Sequence, residues 1–216
     1  MRINEDYIQN IEHEEIIRKD DLVLDEMISS VQHIIDGTFD KYFDIDPQGY
    51  KPFFKPNNKS DFFQLVQKSI ELFGNEADLN FIDTSGIKSM ESLFEDSEFN
   101  GKISRWDVSN VENMDDMFMN SQFNGNISNW KVSKVSSMYE MFYDSRFNGD
   151  ISKWDVSNVY EMSNMFENSD FTSDISNWQI NDACSMTDVF KNCPIKLINV
   201  PRCLLKYYDA RDITKW

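Results

Sequence analysis

Few residues of this 216-residue chain have the types and spacing that catalysis or metal binding requires. The two histidines, His13 and His33, have no cysteine or second histidine at the spacing of a metal site. The three cysteines, Cys184, Cys193 and Cys203, are odd in number and lack paired ligand spacing, so reduced structural thiols are predicted. We therefore expect neither a metal ion nor a cofactor.

Carboxylates are the other candidates for chemistry. The segment 44–49, DIDPQG, begins like a calcium-binding loop, but Lys55 stands at the twelfth position, where the loop requires a bidentate glutamate. The segment is therefore predicted to be a turn. Asp115 and Asp116 are predicted to lie on a solvated surface, without an apolar pocket that would shift their pKa values. Because no phosphate-binding glycine loop or nucleophile elbow occurs either, we predict no catalytic residues and no enzyme activity.

The charge of the chain narrows the class of partner. It has 21 basic and 38 acidic residues, a formal net charge of −17, and residues 61–190 carry most of the acidic excess, whereas residues 191–216 are basic. Nucleic acid is disfavoured as a direct partner, because phosphate binding requires clustered Lys and Arg. A protein partner is predicted instead, with a basic or nucleic-acid-binding protein as one form of it.

A repeat with a period of 24 residues must position whatever site the chain has. Its clearest copies are 102–125, 126–149 and 150–173, and two diverged copies, 78–101 and 174–197, keep the same register. Apolar residues recur in fixed columns and are predicted to stack in a continuous core. Four of these columns are Ile103, Ile127, Ile151 and Ile175; Trp106, Trp130, Trp154 and Trp178; Met114, Met138, Met162 and Met186; and Phe118, Phe142, Phe166 and Phe190.

Each unit is predicted to contain a short strand followed by a helix. Trp106 and Val108 alternate with polar residues, as in a half-buried strand. A helical face is predicted to follow from Val111 to Phe118, with Ser109 and Glu112 as a capping box in that copy. Asn-Gly pairs then supply a tight turn into the next unit.

The motif D-I-S-x-W-D-V-S-N-V-x-x-M-x-x-M-F, as it stands in 150–166 and its neighbours, resembles the repeat of the BspA-type leucine-rich-repeat proteins of mycoplasmas and other bacteria. The resemblance implies an α+β, leucine-rich-repeat-like solenoid of five 24-residue strand-helix coils with an N-terminal helical cap. It also implies adhesion or surface interaction, although residues 1–6 do not begin a signal peptide and no lipobox cysteine follows.

The predicted domains follow the repeat. Residues 1–57 form an N-terminal helical or irregular segment, 58–77 a capping helix, 78–197 the five-repeat solenoid and 198–216 a C-terminal cap. Within the capping segment, residues 61–73 are predicted to be helical, with Ser60 or Asp61 as the N-cap. The N-terminal helices either pack on this cap or pair with a second chain as a homodimer.

The candidate binding residues are those that vary at fixed register. A mixed polar row on the outward strand positions and three tyrosines on the helix side form two alternative partner-binding surfaces, although single exposed tyrosines are also ordinary surface residues. The row contains Arg105, Asp107, Asn129, Lys131, Lys153 and Asp155, and the tyrosines are Tyr139, Tyr143 and Tyr160.

Two functions are consistent with these features. The first is a non-enzymatic protein-binding repeat module that uses an acidic surface. The alternative is a cytoplasmic inhibitor, of phage or mobile-element origin and directed against a defence enzyme, that mimics nucleic acid and blocks a basic groove. Because no stretch approaches the length of a membrane span and the cysteines are unpaired, a cytoplasmic location is predicted.

Overall fold

The computed structural model describes residues 55–56 and 58–207, with side chains described as far as residue 205, all within one compact unit, Lys51–Trp216. The predictions for His13, His33, the 44–49 turn and the N-terminal helices with their homodimer lie outside the described residues, as does the end of the C-terminal segment.

The helix predicted over 61–73 is confirmed as α1, Lys59–Phe73. Its N-cap is Asn58, whose side-chain oxygen accepts a hydrogen bond from the backbone N–H of Asp61 at 2.9 Å, so the predicted N-cap was wrong by two or three residues. The helix ends at Gly74, whose φ of 81° is accessible to glycine at little cost. Phe62 lies on the buried face, and its ring packs edge-on against Trp106 at 5.4 Å. No described helix is long and apolar enough to cross a membrane.

After α1 the chain contains turns rather than strands or helices. Within residues 78–196, ladder-type backbone pairing occurs only as isolated parallel bridges between residues 24 apart, and no sheet forms. Four of these bridges follow one column, from Ser89 through Asn113, Ser137 and Glu161 to Ser185. The 24-residue period of the sequence is therefore the spacing at which successive units hydrogen bond to one another.

The predicted fold class, an α+β leucine-rich-repeat-like solenoid of strand-helix coils with a helical cap, is therefore wrong. The segments predicted to be helical instead contain two residues with positive φ, four positions apart, in every unit. A left-handed residue at such intervals interrupts a right-handed helix. The ten residues are Ser92, Asp96, Asp116, Asn120, Glu140, Asp144, Asn164, Asn168, Asp188 and Asn192, mostly the Asp and Asn types that tolerate this conformation.

The predicted capping box is also wrong. The backbone N–H of Ser109 donates to the side chain of Asp107 at 3.0 Å, and the N–H of Glu112 donates to the carbonyl of Lys88, in the preceding unit, at 2.7 Å. The Ser109 N–H therefore stabilises a local turn, and the Glu112 N–H links two units. In a capping box, the side chains of these two residues would instead have bonded the first N–H groups of a helix.

The core lies inside these turns and is built from the predicted columns. Trp106, Trp130 and Trp154 stack with centroids 6.5 and 6.4 Å apart, and each indole N–H donates to the carbonyl 27 residues earlier. The phenylalanine column stacks at 5.6 to 5.8 Å from Phe118 onwards. All four columns named above are buried, which confirms their prediction as core.

Two 3₁₀ helices, Leu197–Asn199 and Arg202–Tyr207, follow the fifth unit. The N–H of Ile175 donates to the carbonyl of Asn199 at 2.9 Å, and Leu204 is buried. This segment therefore packs against the tryptophan-bearing part of the fifth unit, much as α1 packs near that of the second unit through Phe62 and Trp106.

Candidate interaction surface

One strip of each unit contains both left-handed residues, and we call these strips together the left-handed edge: residues 90–96, 114–120, 138–144, 162–168 and 186–192. In the second unit the N–H groups of Asp116, Phe118 and Asn120 donate to carbonyls of the third unit at 2.8 to 2.9 Å. The equivalent amides of the first, third and fourth units do the same. Because left-handed and right-handed residues alternate along each strip, these N–H groups point to the next unit and the accepting carbonyls point to the preceding unit.

Side chains at the left-handed positions also bond between units. The amide of Asn120 donates to Asp96 at 2.7 Å, that of Asn164 to Glu140 at 2.9 Å, and that of Asn192 to Asn168 at 2.8 Å. These bonds hold the partly or fully exposed side chains of neighbouring units in register. The edge therefore presents its polar groups at fixed positions.

Charge changes steadily along this edge. Its segments carry formal charges of −3, −2, −2, −1 and zero from the first unit to the fifth, and the first cation on the edge is Lys191. Lys191 contacts Glu167 at 2.8 Å and Asp188 at 3.3 Å. The first three units of the edge therefore form a negative surface, on which Glu91 is paired with Lys59 of α1 at 2.9 Å.

Asp116 shows how closely these carboxylates approach one another. Partial burial, followed by the negative charges of Glu140, Glu95 and Asp115, raises the pKa of Asp116 to about 6. The prediction that Asp115 and Asp116 form a solvated surface with ordinary pKa values is therefore wrong for Asp116. A carboxyl pKa near neutrality means that the ionised form is destabilised. Shifted pKa values of this kind are enriched at functional sites.

Two of the three predicted tyrosines are exposed: Tyr139 lies on this edge, and Tyr160 lies two residues before its fourth strip. Tyr139 is 37% exposed and Tyr160 is 56% exposed, whereas Tyr143 is half-buried. The backbone N–H of Tyr139 donates to the Asp115 carboxylate at 2.8 Å, and a hydrogen bond with Glu140 is the largest cause of a raised pKa of the Tyr139 hydroxyl. Tyr160 joins the third unit through a bond from its N–H to the carbonyl of Ser136 at 2.8 Å. No ring contact connects the three tyrosines to one another in the described region.

The predicted polar row is exposed, but it does not lie on strands. Arg105, Asn129 and Lys153 occupy tight turns that precede the buried tryptophans. Asp107 and Asp155 accept hydrogen bonds from the N–H groups two residues later, at 3.0 and 3.2 Å. These side chains therefore stabilise the local turns.

Charges alternate along one column of this row. Hydrogen bonds from Ser109 are the main reason that the pKa of Asp107 is lowered, and the positive charge of Lys131, one unit later, contributes as well. Asp155 follows Lys131 in the same column. The row therefore balances its own charge, unlike the left-handed edge.

Two of the three cysteines, Cys184 and Cys193, are poorly suited to nucleophilic chemistry. Burial raises the pKa of the Cys184 thiol to about 11 and raises that of Cys193 as well, which disfavours the reactive thiolate. Across the described residues, no group of three or more His, Cys, Asp or Glu side chains could hold a metal ion.

An open apolar groove of about 670 Å³ lies at the C-terminal end of the stack. Its lining includes Trp178, Ile180 and Leu205, and Ile198 beside them is 81% exposed. Arg202 is the charged residue in this lining. A groove with one cation and no carboxylate lacks the paired groups of general acid–base catalysis.

The carboxylates of Asp116 and Glu140 are the site residues that sequence reasoning missed. The signal was present, because Asp, Asn or Glu stands at almost every position of their column. A helical interpretation placed that column on a solvated face, whereas the left-handed backbone holds it against neighbouring units.

Comparison with known proteins identifies a family. The family model described as a Mycoplasma protein of unknown function, DUF285, matches residues 60–146 and 144–196, which include most of the repeat. No curated protein and no solved structure matches the chain.

Proposed function

The chain belongs to the DUF285 family of Mycoplasma proteins of unknown function, and from that premise we propose that it is a non-enzymatic module that binds a protein through the left-handed edge. The predicted mycoplasma repeat family agrees with this membership, while the closer resemblance to BspA-type repeats stays a prediction. As part of the proposal, the partner surface is basic and the module acts in the cytoplasm, where its free thiols remain reduced.

The observation that carries the proposal is the crowding of carboxylates around Asp116. Partial burial is the largest cause of its raised pKa, and four neighbouring acids, led by Glu140 and Glu95, raise it further; no cation lies on that part of the edge. A basic partner would lower the repulsion among these groups. The free energy gained in this way favours a cationic protein over a neutral one.

The exposed tyrosines supply the other half of the surface. Tyr139 and Tyr160 combine apolar rings with hydroxyls, and aromatic residues of this type contribute most to protein interfaces. Arginine in a partner could bond the carboxylates while its guanidinium stacks on a tyrosine ring. The charge-balanced row around Asp107 and Lys131 lacks both features, and we assign it a smaller role.

The experiment compares captured proteins rather than testing for capture alone. The full chain is immobilised beside two variants, Tyr139→Ser with Tyr160→Ser, and Asp116→Asn with Glu140→Gln, and proteins retained from a mycoplasma lysate are quantified. The proposal predicts a protein that both variants lose about tenfold or more, corresponding to about 1.4 kcal/mol or more. A matched control, Asn129→Ala with Lys153→Ala, should retain it. Equal retention by all chains would contradict the proposal.

A second candidate function is inhibition by mimicry of nucleic acid. It is favoured by the recurrence of carboxylates from unit to unit, as in Asp96, Asp116 and Glu140, because phosphates also recur regularly along a strand. Duplex DNA or RNA added to the captured complex should then release the partner by competition. Release by salt but not by either nucleic acid would contradict mimicry while leaving the protein-binding proposal intact.

A further inference from the structure

The two ends of the left-handed edge have complementary backbone groups that lack a partner among the described residues. Inside the stack each N–H on the edge that points to the next unit reaches a carbonyl there, as Asp144 reaches Glu167 at 2.9 Å. In the fifth unit, the N–H groups of Met186, Asp188 and Asn192 have no acceptor among the described residues. In the first unit, no described donor reaches the equivalent carbonyls, which belong to Ser89, Glu91, Leu93 and Glu95.

In the tryptophan-bearing part of the stack, by contrast, other segments of the chain pack against both ends. Near its first end, Phe62 of α1 packs on Trp106. At its last end, Asn199 accepts from Ile175, and Leu204 is buried. At the left-handed edge, the described residues instead leave donors at one end and acceptors at the other.

The two ends also differ in charge. The first unit of the edge carries Glu91, Glu95 and Asp96, of which Glu91 contacts Lys59 of α1 at 2.9 Å. The fifth unit of the edge carries Lys191, and Lys196 and Arg202 follow it in the sequence. Inside the stack Lys191 already contacts Glu167, which occupies the same column as Glu95. A first unit added after the fifth would bring Glu95 into the next position of that column.

We propose that a second copy of this chain adds head to tail at the left-handed edge, with carbonyls of its first unit accepting hydrogen bonds from the amides of Met186, Asp188 and Asn192 in the fifth. The added copy repeats the bonding that already links units within one chain. Because donor and acceptor ends differ, the contact is heterologous and does not close on itself, so association gives short linear arrays. The contact is confined to one edge, and a small interface of this kind is weak and depends on concentration.

Sedimentation of the full chain tests the proposal. Between about 10 µM and about 1 mM, a range that covers weak association, the weight-average mass should rise at low salt and return to the monomer value at high salt. A monomer throughout this range would overturn the proposal.

Two charge-reversed variants make the test directional. Glu91→Lys with Glu95→Lys alters the first end, and Lys196→Glu with Arg202→Glu alters the last. Each variant alone should remain monomeric, because its two ends then carry the same sign of charge. An equimolar mixture should associate into alternating arrays, because the unaltered last end of one variant meets the unaltered first end of the other and the two altered ends also attract each other. A folding defect cannot produce this rescue. The control Lys131→Glu with Lys153→Glu should associate like the wild type. Association that survives in either end variant, or a mixture that stays monomeric, would overturn head-to-tail addition.

Discussion

The tryptophan side, residues 103–108 and their equivalents, and the left-handed edge belong to the same 24-residue units, but they use the repeat differently. On the tryptophan side the side chains themselves recur, as Trp106, Trp130, Trp154 and Trp178, and their indole N–H groups bond carbonyls inside the protein. On the left-handed edge the backbone conformation recurs, while the exposed side chains change from acid to tyrosine to amide.

This difference separates the requirements of stacking from those of binding. Both regions hold successive units in register, one by buried rings and the other by backbone hydrogen bonds. Backbone bonding leaves the outward side chains free to vary, so charge and aromatic character can be placed there without loss of the core. We therefore expect mutations on the tryptophan side to affect stability and mutations on the edge to affect binding.

The largest effect is expected on the tryptophan side. Trp130→Ala removes a ring stacked between Trp106 and Trp154 and its hydrogen bond to the carbonyl of Ile103. We expect the free energy of unfolding, measured in urea, to fall by about 3–5 kcal/mol. Tyr160→Ala beside the edge, where the residue is 56% exposed, should change it by less than about 0.5 kcal/mol. Equal losses in the two variants would remove the distinction between the regions.

A smaller loss of stability is expected when a glycine that lies against the core is replaced by alanine. A Cβ at Gly101 would lie 2.0 Å from the carbonyl oxygen of Ala77, a backbone atom that cannot rotate away. A Cβ at Gly149 would lie 2.8 Å from the Phe147 ring and 3.6 Å from the nearest carbonyl oxygen. Gly101→Ala should therefore lower the melting temperature more than Gly149→Ala, with a stability loss of about 1–3 kcal/mol. The reverse order would show that the first two units are less tightly joined than their contacts indicate.

The smallest change in stability is expected for a substitution on the left-handed edge, and it is a gain rather than a loss. The pKa of Asp116 rises from 3.8 to about 6 on folding, so the folded state binds more protons than the unfolded state between these values. The free energy of unfolding therefore falls as pH rises through this window, and the penalty is fully present at pH 7. Asp116→Asn should remove it and stabilise the protein at pH 7 by less than about 1 kcal/mol, because solvent screens the carboxyl.

Asparagine suits the left-handed backbone there, since Asn164 has φ 58° at the equivalent position. The matched control is Asp188→Asn, which loses an ion pair with Lys191 and should not stabilise the protein. Thermal unfolding at pH 4 and pH 7 separates the two cases, because the gain from Asp116→Asn should disappear at pH 4. A gain that is equal at both pH values would show that repulsion between carboxylates is not its cause.

The sequence predicted the core better than the backbone around it. Identical apolar residues at fixed spacing, such as the Trp106 and Phe118 columns, must bury one another, and burial does not depend on whether turns or helices connect them. The helix α1 was likewise predictable, because its apolar spacing and Gly74 are local signals.

The strand-helix prediction failed because one pattern fits two backbones. Val111, Met114 and Phe118 lie at helical spacing, but they are equally buried when a left-handed residue, Asp116, turns the chain between Met114 and Phe118. The choice between these backbones depends on bonds to the next unit, which no short window of sequence contains. The crowding around Asp116 was missed for the same reason, since it depends on Glu140 being held one unit away.

Amide hydrogen exchange, resolved residue by residue in the full chain, tests the central claim that paired left-handed strips join the units and end in an open edge. Asp116 and Asn120 donate to the next unit, whereas Asp188 and Asn192 have no described acceptor. The amides of Asp116 and Asn120 should therefore exchange at least about tenfold more slowly than those of Asp188 and Asn192 at low protein concentration, a difference of about 1.4 kcal/mol in protection. Equal exchange at the two pairs would contradict the claim.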